Sequence, residues 1–199
     1  MQADNHAIVL TGGIATGKSS AGEILQQHGL ALIDADRIAH RVLDAQAAEI
    51  AALFGEQFLS AGRVDRKALG ALVFADSDKR KALESLLHPL IREEILQRST
   101  ALDRDGVPHL VDLPLFFESG QYPFEKVIVV YAPRRIQKQR LMARNGYTSA
   151  EAEARLDAQM DIEEKRARAD YIIDNSGDPA QLERECLRVK DMIFAKNAL

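Results

Sequence analysis

The sequence predicts an α/β protein built on a parallel five-stranded sheet and interrupted by a helical insertion. Three observations carry this prediction. Short apolar runs alternate with helical patterns, the arrangement of parallel strands joined by right-handed crossovers. A glycine-rich loop, Gly12-Gly13-Ile14-Ala15-Thr16-Gly17-Lys18-Ser19, follows the first run and leads into a helix. Between the second and third strands, about 70 residues show only helical periodicity, more than a crossover connection needs.

The first run, Ala7-Ile8-Val9-Leu10, suits a buried strand. The loop after it fits G-x-x-x-x-G-K-[ST]. In that motif, backbone N–H groups point at phosphate oxygens, and the helix N-terminus adds about half a positive charge. The same chemistry sends Lys18 to the β- and γ-phosphates of a nucleoside triphosphate and makes the Ser19 hydroxyl a ligand of Mg²⁺. A helix from Ser19 to Gln27 packs through Ile24 and Leu25 and stops at Gly29. The second strand, Leu30-Ala31-Leu32-Ile33, ends at Asp34-Ala35-Asp36, and a helical pattern starts at Arg37 with Ile38, Val42 and Leu43 on one face.

The insertion reads as helical throughout. Ile50, Leu53, Phe54 and Phe58 recur at helical spacing. Asp65 caps a helix carrying Leu69, Leu72, Val73 and Phe74. Asp76 begins another with Leu83, Leu86 and Leu87, which His88-Pro89 is expected to break, leaving Pro89 in the first turn of a final helix through Ile91, Ile95 and Leu102. The core resumes with strands at Leu110–Leu113 and Lys126–Tyr131, the second nearly all apolar, as expected when both faces are covered. A basic helix follows Pro133. The last strand is Tyr171-Ile172-Ile173-Asp174, and a closing helix runs from Pro179 to about Lys196. No internal repeat or low-complexity tract is present.

Composition excludes several classes. The 199 residues suffice for one domain with an insertion, and 46% apolar residues suffice for its core. A net charge of −4 argues against a general nucleic-acid or membrane binder. No run approaches the ~18 apolar residues of a membrane span. The single Cys186 excludes an internal disulfide and suits a reducing compartment, where its helical setting favours a packed thiol. The polar MQADNH start carries no basic signal region, so a cytoplasmic enzyme is expected.

Ligands of such folds bind beyond the C-terminal strand ends, where the glycine loop, Asp34, Asp36, Asp112 and Asn175 all fall. Phosphoryl transfer needs phosphates cradled, a metal held, an acceptor hydroxyl aligned and developing charge met by cations. Asp34 and Asp36 compete for the acceptor's proton or for Mg²⁺. Two apart on an extended segment, they would share a face. Either could instead cap the helix before Ile38, Asp36 above all because it directly precedes the helical run. Asp112 closes a strand, the position of a Walker-B-type magnesium ligand. From Ala132 to Ala150 the basic residues are Arg134, Arg135, Lys138, Arg140 and Arg144, with no acid among them. Arg140 and Arg144, four apart, share a helix face. Acids return after Gly146, so the basicity is local. His88 and Arg92 can position a substrate or simply cap and solvate a helix, and Phe116 and Phe117 can pack or contact a ligand.

Six stretches, taken together, resemble the dephospho-coenzyme A kinase family. They are Leu10-Thr11-Gly12-Gly13-Ile14, Ile33-Asp34-Ala35-Asp36-Arg37-Ile38-Ala39-His40, His88-Pro89-Leu90-Ile91-Arg92, Leu113-Pro114-Leu115-Phe116-Phe117-Glu118, Gln139–Arg144 and Ala169–Asn175. The resemblance covers nearly the whole chain. It implies a three-layer, nucleoside-kinase-like P-loop core at 1–36, 107–134 and 168–199. It also implies a CoA-substrate-binding subdomain at 37–106 and a helical lid at 135–167. The implied reaction is ATP- and Mg²⁺-dependent phosphorylation of the ribose 3′-hydroxyl of dephospho-CoA, giving coenzyme A and ADP. It further implies Asp36 as the base, Arg140 and Arg144 on the lid, and Asn175 near the adenine. The loop's phosphate contacts extend to Ser20, and His88, Arg92, Leu115 and Phe117 lie toward the acceptor. Mg²⁺ falls to Ser19, with Asp34 and Asp112 as further candidates. Small-molecule substrates alone, no nucleic acid, no membrane and a monomer or weak homo-oligomer are expected. One departure stands out: similar proteins read G-G-I-G-S-G-K-S, and this chain has Ala15-Thr16. If position 15 requires a positive φ, alanine costs on the order of 1 kcal/mol there.

A different small-molecule kinase of this fold is the runner-up, against which the insertion and its H-P-x-I-R stretch argue. A guanine-nucleotide switch lacks its N-K-x-D motif, and Asp103-Arg104-Asp105-Gly106 lies in a polar turn.

Overall fold

The structure, a computed structural model, describes residues 6–197. Most of the polar start read above for targeting lies outside the described residues. The chain divides into two compact units, Met1–Ile33 with Ser99–Leu199, and Asp34–Arg98.

The first unit holds a five-stranded parallel sheet of β1 (Ala7–Gly12), β2 (Ala31–Asp34), β5 (His109–Asp112), β6 (Lys126–Tyr131) and β7 (Tyr171–Asp174), in the order β2-β5-β1-β6-β7. All six residues of the central β1 are buried, and β6 is buried from Val127 onward, which is why both read as continuous apolar runs. Side chains alternate faces along a strand. Ile8, Leu10, Ile128, Val130, Tyr171 and Ile173 share a core with helices α1 (Lys18–Gln27) and α10 (Pro179–Asn197) through Leu25, Leu182, Cys186, Val189 and Ile193. On the opposite face Tyr131 donates its hydroxyl to Glu163 of α9 (Ile162–Ala167) at 2.6 Å. That bond, first, holds the phenol's pKa above its ordinary value. Burial pushes the Cys186 thiol up to about 12, so it stays protonated at neutral pH and serves as packing rather than as a nucleophile.

After β1 the chain crosses to one edge of the sheet, and after β5 it crosses to the other side. The loop between β1 and α1 therefore sits where the winding reverses, the usual ligand crevice of an open parallel sheet. A short helix α6 (Phe116–Ser119) follows β5. Helices α7 (Arg134–Asn145), α8 (Ser149–Asp157) and α9 lie between β6 and β7. Thr148 and Glu151 form a reciprocal capping box at the start of α8.

The second unit contains α2 (Ala35–Ala45), α3 (Ala47–Phe54), α4 (Arg66–Ala75) and most of α5 (Ser77–Arg104). Ile50, Val64 and Leu69 form its centre, with Leu43, Phe54, Phe58, Leu72, Leu83 and Leu86 packed around them. Asp65 caps α4 as expected, accepting from the Lys67 and Ala68 N–H groups at 3.1 and 3.0 Å. Two expectations fail here. The unit is not wholly helical: after a 3-10 turn at Glu56–Phe58, β3 (Leu59–Ser60) and β4 (Arg63–Val64) form an antiparallel hairpin. Ala61 and Gly62 turn it with φ of 48° and 76°, the paired positive values of a type I′ turn. Nor does His88-Pro89 end a helix. The α-helix continues through Pro89, because packed turns on both sides, with Leu87 and Ile95 buried, offset the ~3 kcal/mol that an interior proline costs.

Candidate active site

The glycine loop is shaped by contacts that leave no room for side chains. A Cβ on Gly12 would sit 2.8 Å from the Val130 carbonyl. Gly17 has φ 89°, and a Cβ there would come within 2.1 Å of the Asn175 amide nitrogen. Thr16 closes the loop on itself: its N–H and hydroxyl both donate to the Gly13 carbonyl, at 3.2 and 2.9 Å. Asn175 donates to the Thr16 carbonyl at 2.7 Å, fastening the loop to the end of β7. Among the described residues, the backbone N–H groups of Gly17, Lys18, Ser19 and Ser20 donate to no protein acceptor. They are the orphan donors of the first turn of α1, an arrangement that suits an anion at a helix N-terminus.

Ala15 does occupy left-handed space, with φ 61°. Relief of about 1 kcal/mol is expected on Ala15→Gly. Two effects oppose it. The Ala15 methyl packs, with Ile14 and Tyr147, against the cluster of Leu141, Ala152 and Leu156. A fully buried methyl contributes about 0.8 kcal/mol and the half-buried Ala15 methyl less, and glycine adds unfolded-state freedom. The terms nearly cancel, so denaturant melts of Ala15→Gly should differ from the parent by less than about 1 kcal/mol. A gain of about 2 kcal/mol would show that strain dominates.

Lys18 is paired with Asp112 at the end of β5, and the two side chains are only 15% and 13% exposed. The exposed Ser19 and Ser20 follow Lys18 in the first turn of α1. Arg140 of α7 donates to the Asn175 carbonyl at 2.9 Å and lies 3.5 Å from the Ala15 carbonyl. Arg144, one turn on, is exposed, and its Nε donates to the Asn145 side chain at 2.9 Å. Ala15, Gly17, Ser20, Arg140, Ala143, Arg144 and Asn175 line a cleft of about 510 Å³ beside the loop. The structure thus gathers Gly12 through Ser20, Asp112, Arg140, Arg144 and Asn175 into one place.

The remaining basic residues of α7 do other work. Arg134 binds Glu153 at 2.7 Å and also Asp157, and Lys138 binds Glu153 at 2.8 Å, so the acids of α8 compensate two of the five basic side chains of α7. The Lys138 and Arg134 bonds hold the Glu153 carboxyl below its ordinary range. Ile14 donates its N–H to Gln159 at 2.8 Å. With the apolar cluster under Ala15, this joins the α7–α9 segment to the loop.

Leu115 is exposed at the start of α6. Phe117 is half-buried, edge-on to Phe116 at 5.3 Å between ring centroids, with the Arg168 guanidinium 5.9 Å from its own.

Asp34, Asp36, His88 and Arg92 belong to the second unit. The expected shared face of Asp34 and Asp36 does not form. Asp34 is itself the helix cap, accepting from the Arg37 N–H at 2.9 Å, so α2 starts at Ala35 and Asp36 lies in its first turn. Asp36 is exposed, and its carboxylate has no hydrogen bond or ion pair among the described residues. His88 and Arg92 are exposed, four apart on α5, and so share one of its faces.

Sequence reasoning missed Lys165. Its ammonium is fully buried, binding Glu118 at 2.7 Å and the Gly12 carbonyl at 3.2 Å. In the sequence it sits in Glu163-Glu164-Lys165-Arg166, which reads as a solvated face. Its partner Glu118 stood in a motif, but nothing local signals their meeting.

A phosphate-binding loop after the central strand of a parallel sheet, its lysine beside a strand-end carboxylate, and arginines over the adjoining cleft define the P-loop kinase class. The dephospho-CoA kinase family model matches residues 6–181. A dephospho-CoA kinase of Sulfurimonas denitrificans is 48% identical over 191 residues, covering 96% of each chain. One from Wolinella succinogenes is 46% identical over 97% of each. The solved structure of dephospho-CoA kinase from Campylobacter jejuni superposes with a TM-score of 0.74 at 38% identity, covering 94% of this chain and 97% of that one. The chain belongs to the dephospho-CoA kinase family.

Proposed function

We propose that this chain transfers the γ-phosphoryl group of ATP to the ribose 3′-hydroxyl of dephospho-CoA, giving coenzyme A and ADP. The observation that carries the donor half is the open first turn of α1, whose N–H groups from Gly17 to Ser20 stand beside Lys18. Family membership carries the acceptor half.

In this reading the loop N–H groups and Lys18 hold the β- and γ-phosphates. To reach them, Lys18 exchanges the Asp112 carboxylate for phosphate oxygens. The Ser19 hydroxyl, with the Asp112 carboxylate or Asp34, supplies the hard oxygen donors that suit Mg²⁺, which keeps several waters and phosphate oxygens in its shell. Bound there, Mg²⁺ would neutralise phosphate charge. Asp36 takes the proton of the 3′-hydroxyl, whose oxygen forms a bond to the γ-phosphorus as the bond to the ADP oxygen breaks. Arg140 and Arg144 meet the charge that spreads over the transferred group. His88, Arg92, Leu115 and Phe117 bind the acceptor. A loop closed by Arg140, Ile14 and Gln159 also excludes the water that would otherwise hydrolyse ATP. A cytoplasmic setting fits the lone, buried, protonated thiol of Cys186. No helix among the described residues is long and apolar enough to cross a membrane.

The deciding experiment incubates the protein with dephospho-CoA, ATP and Mg²⁺ and maps the new phosphate. A monoester at the ribose 3′ position is expected. A product elongated to a diphosphate, or no product, would sink this reading.

A further inference from the structure

The buried lysine on α9 is the strongest feature that the proposed chemistry leaves unused. Its ammonium is fully enclosed and has three partners from three separate segments. The Gly12 carbonyl, 3.2 Å away, belongs to the first residue of the phosphate loop. The Pro114 carbonyl, at 3.5 Å, belongs to the turn directly after Asp112, and that same carbonyl accepts from the Thr11 hydroxyl at 3.1 Å. The Glu118 carboxylate, at 2.7 Å, stands on α6 and also accepts from the Met160 N–H at 3.2 Å. One cation thus ties together the exit of β1, the exit of β5 and the connection between α8 and α9.

Stability alone is a poor reason for this arrangement. Removing an ammonium from water is costly, and a buried ion pair replaced by apolar side chains of similar volume is often no less stable. What an apolar filling cannot do is fix carbonyl positions. Gly12 begins the loop that carries Lys18, and Pro114 follows the strand that carries its partner Asp112. The two carbonyls therefore set where the phosphate loop and the β5 carboxylate stand relative to each other.

We propose that Lys165 is a positioning residue for phosphoryl transfer. By holding the Gly12 and Pro114 carbonyls, and through Glu118, it keeps the phosphate loop in register with the end of β5, so that Lys18 and the loop N–H groups meet the γ-phosphate in its reacting geometry. The proposal rests on the phosphate-loop reading above. It gives α9 a task in the reaction although the helix touches neither substrate in that reading.

The test compares the parent with Lys165→Met and with the double variant Lys165→Met/Glu118→Leu, which removes both charges at nearly constant volume. Melting temperature, ATP affinity and kcat are measured for each. Lys165→Met leaves the carboxylate without its cation and is expected to lose both stability and turnover. The double variant is expected to melt within about 5 °C of the parent. Its kcat should stay at least about tenfold low, since small misplacements of reacting groups have large effects on rate. Its ATP dissociation constant should move less than about threefold, because ground-state contacts tolerate such shifts better than transition-state ones. Recovery of kcat together with stability would overturn the proposal, leaving Lys165 a structural cation. A double variant that fails to fold would overturn it as well, because the pair would then be needed for the fold itself. The slow hydrolysis of ATP without acceptor is measured in parallel. If the parent hydrolyses ATP but does not phosphorylate dephospho-CoA, the proposed function fails, and the position of Lys165 is still judged on the hydrolysis rates.

Discussion

Lys18→Ala is expected to lower kcat by at least about 100-fold, the scale set by removing one preorganised donor from developing oxyanion charge. The lysine follows the left-handed Gly17 directly, and its ammonium stands against Asp112 with little solvent around either side chain. It is thus the cation already confined at the open turn of α1. Truncation also removes a mostly buried ion pair, for which about 1–3 kcal/mol of stability is a fair expectation. Thermal melts taken alongside the kinetics separate the two effects, since a folded variant assayed well below its melting temperature reports only the lost charge. A folded Lys18→Ala with the parent's kcat would refute the phosphate role of the loop.

The second large effect is expected from Asp36→Asn. A positioned general base contributes about 10²- to 10⁴-fold, so kcat should fall on that scale while ATP affinity stays near the parent value. Stability should hardly change, because the Asp36 carboxylate is exposed and bonded to nothing among the described residues. Asp34→Asn is the matched control. Asparagine caps a helix about as well as aspartate, so the Arg37 N–H keeps an acceptor and α2 keeps its start. If Asp34→Asn proves the more damaging to kcat and added Mg²⁺ does not restore it, the roles of the two aspartates are reversed.

What the sequence revealed and what it concealed divide along physical lines. The strands of the sheet were legible because burial on both faces forces continuous apolar runs, as in Lys126–Tyr131. The glycine loop was legible because contacts at Gly12 and Gly17 exclude any Cβ. The hairpin at Leu59–Val64 was not, since two residues per strand are too few to show alternation. Pro89 misled because a proline's local penalty is visible in sequence, and the packing that offsets it is not. Asp34 and Asp36 were indistinguishable by spacing, because which of them caps α2 depends on where the first turn closes. Lys165 was hidden for the opposite reason: its partners Gly12 and Pro114 lie far off in the chain, and its neighbours are charged.

The acids of α8 change what an approaching polyanion encounters. Read from sequence, α7 offers a row of five cations from Arg134 to Arg144. Folded, Arg134 and Lys138 are compensated by Glu153 and Asp157. Of the three cations left without an acidic partner among the described residues, Arg135, Arg140 and Arg144, only Arg140 and Arg144 line the cleft. At physiological ionic strength attraction between exposed charges fades over about 8 Å. Within a chain of net charge −4, the proposed capture of a triphosphate would then be a short-range event at the cleft mouth, not a long-range pull by a basic surface. Such a molecule can discriminate against nucleic acids and other extended polyanions by charge placement alone, while still admitting a small one.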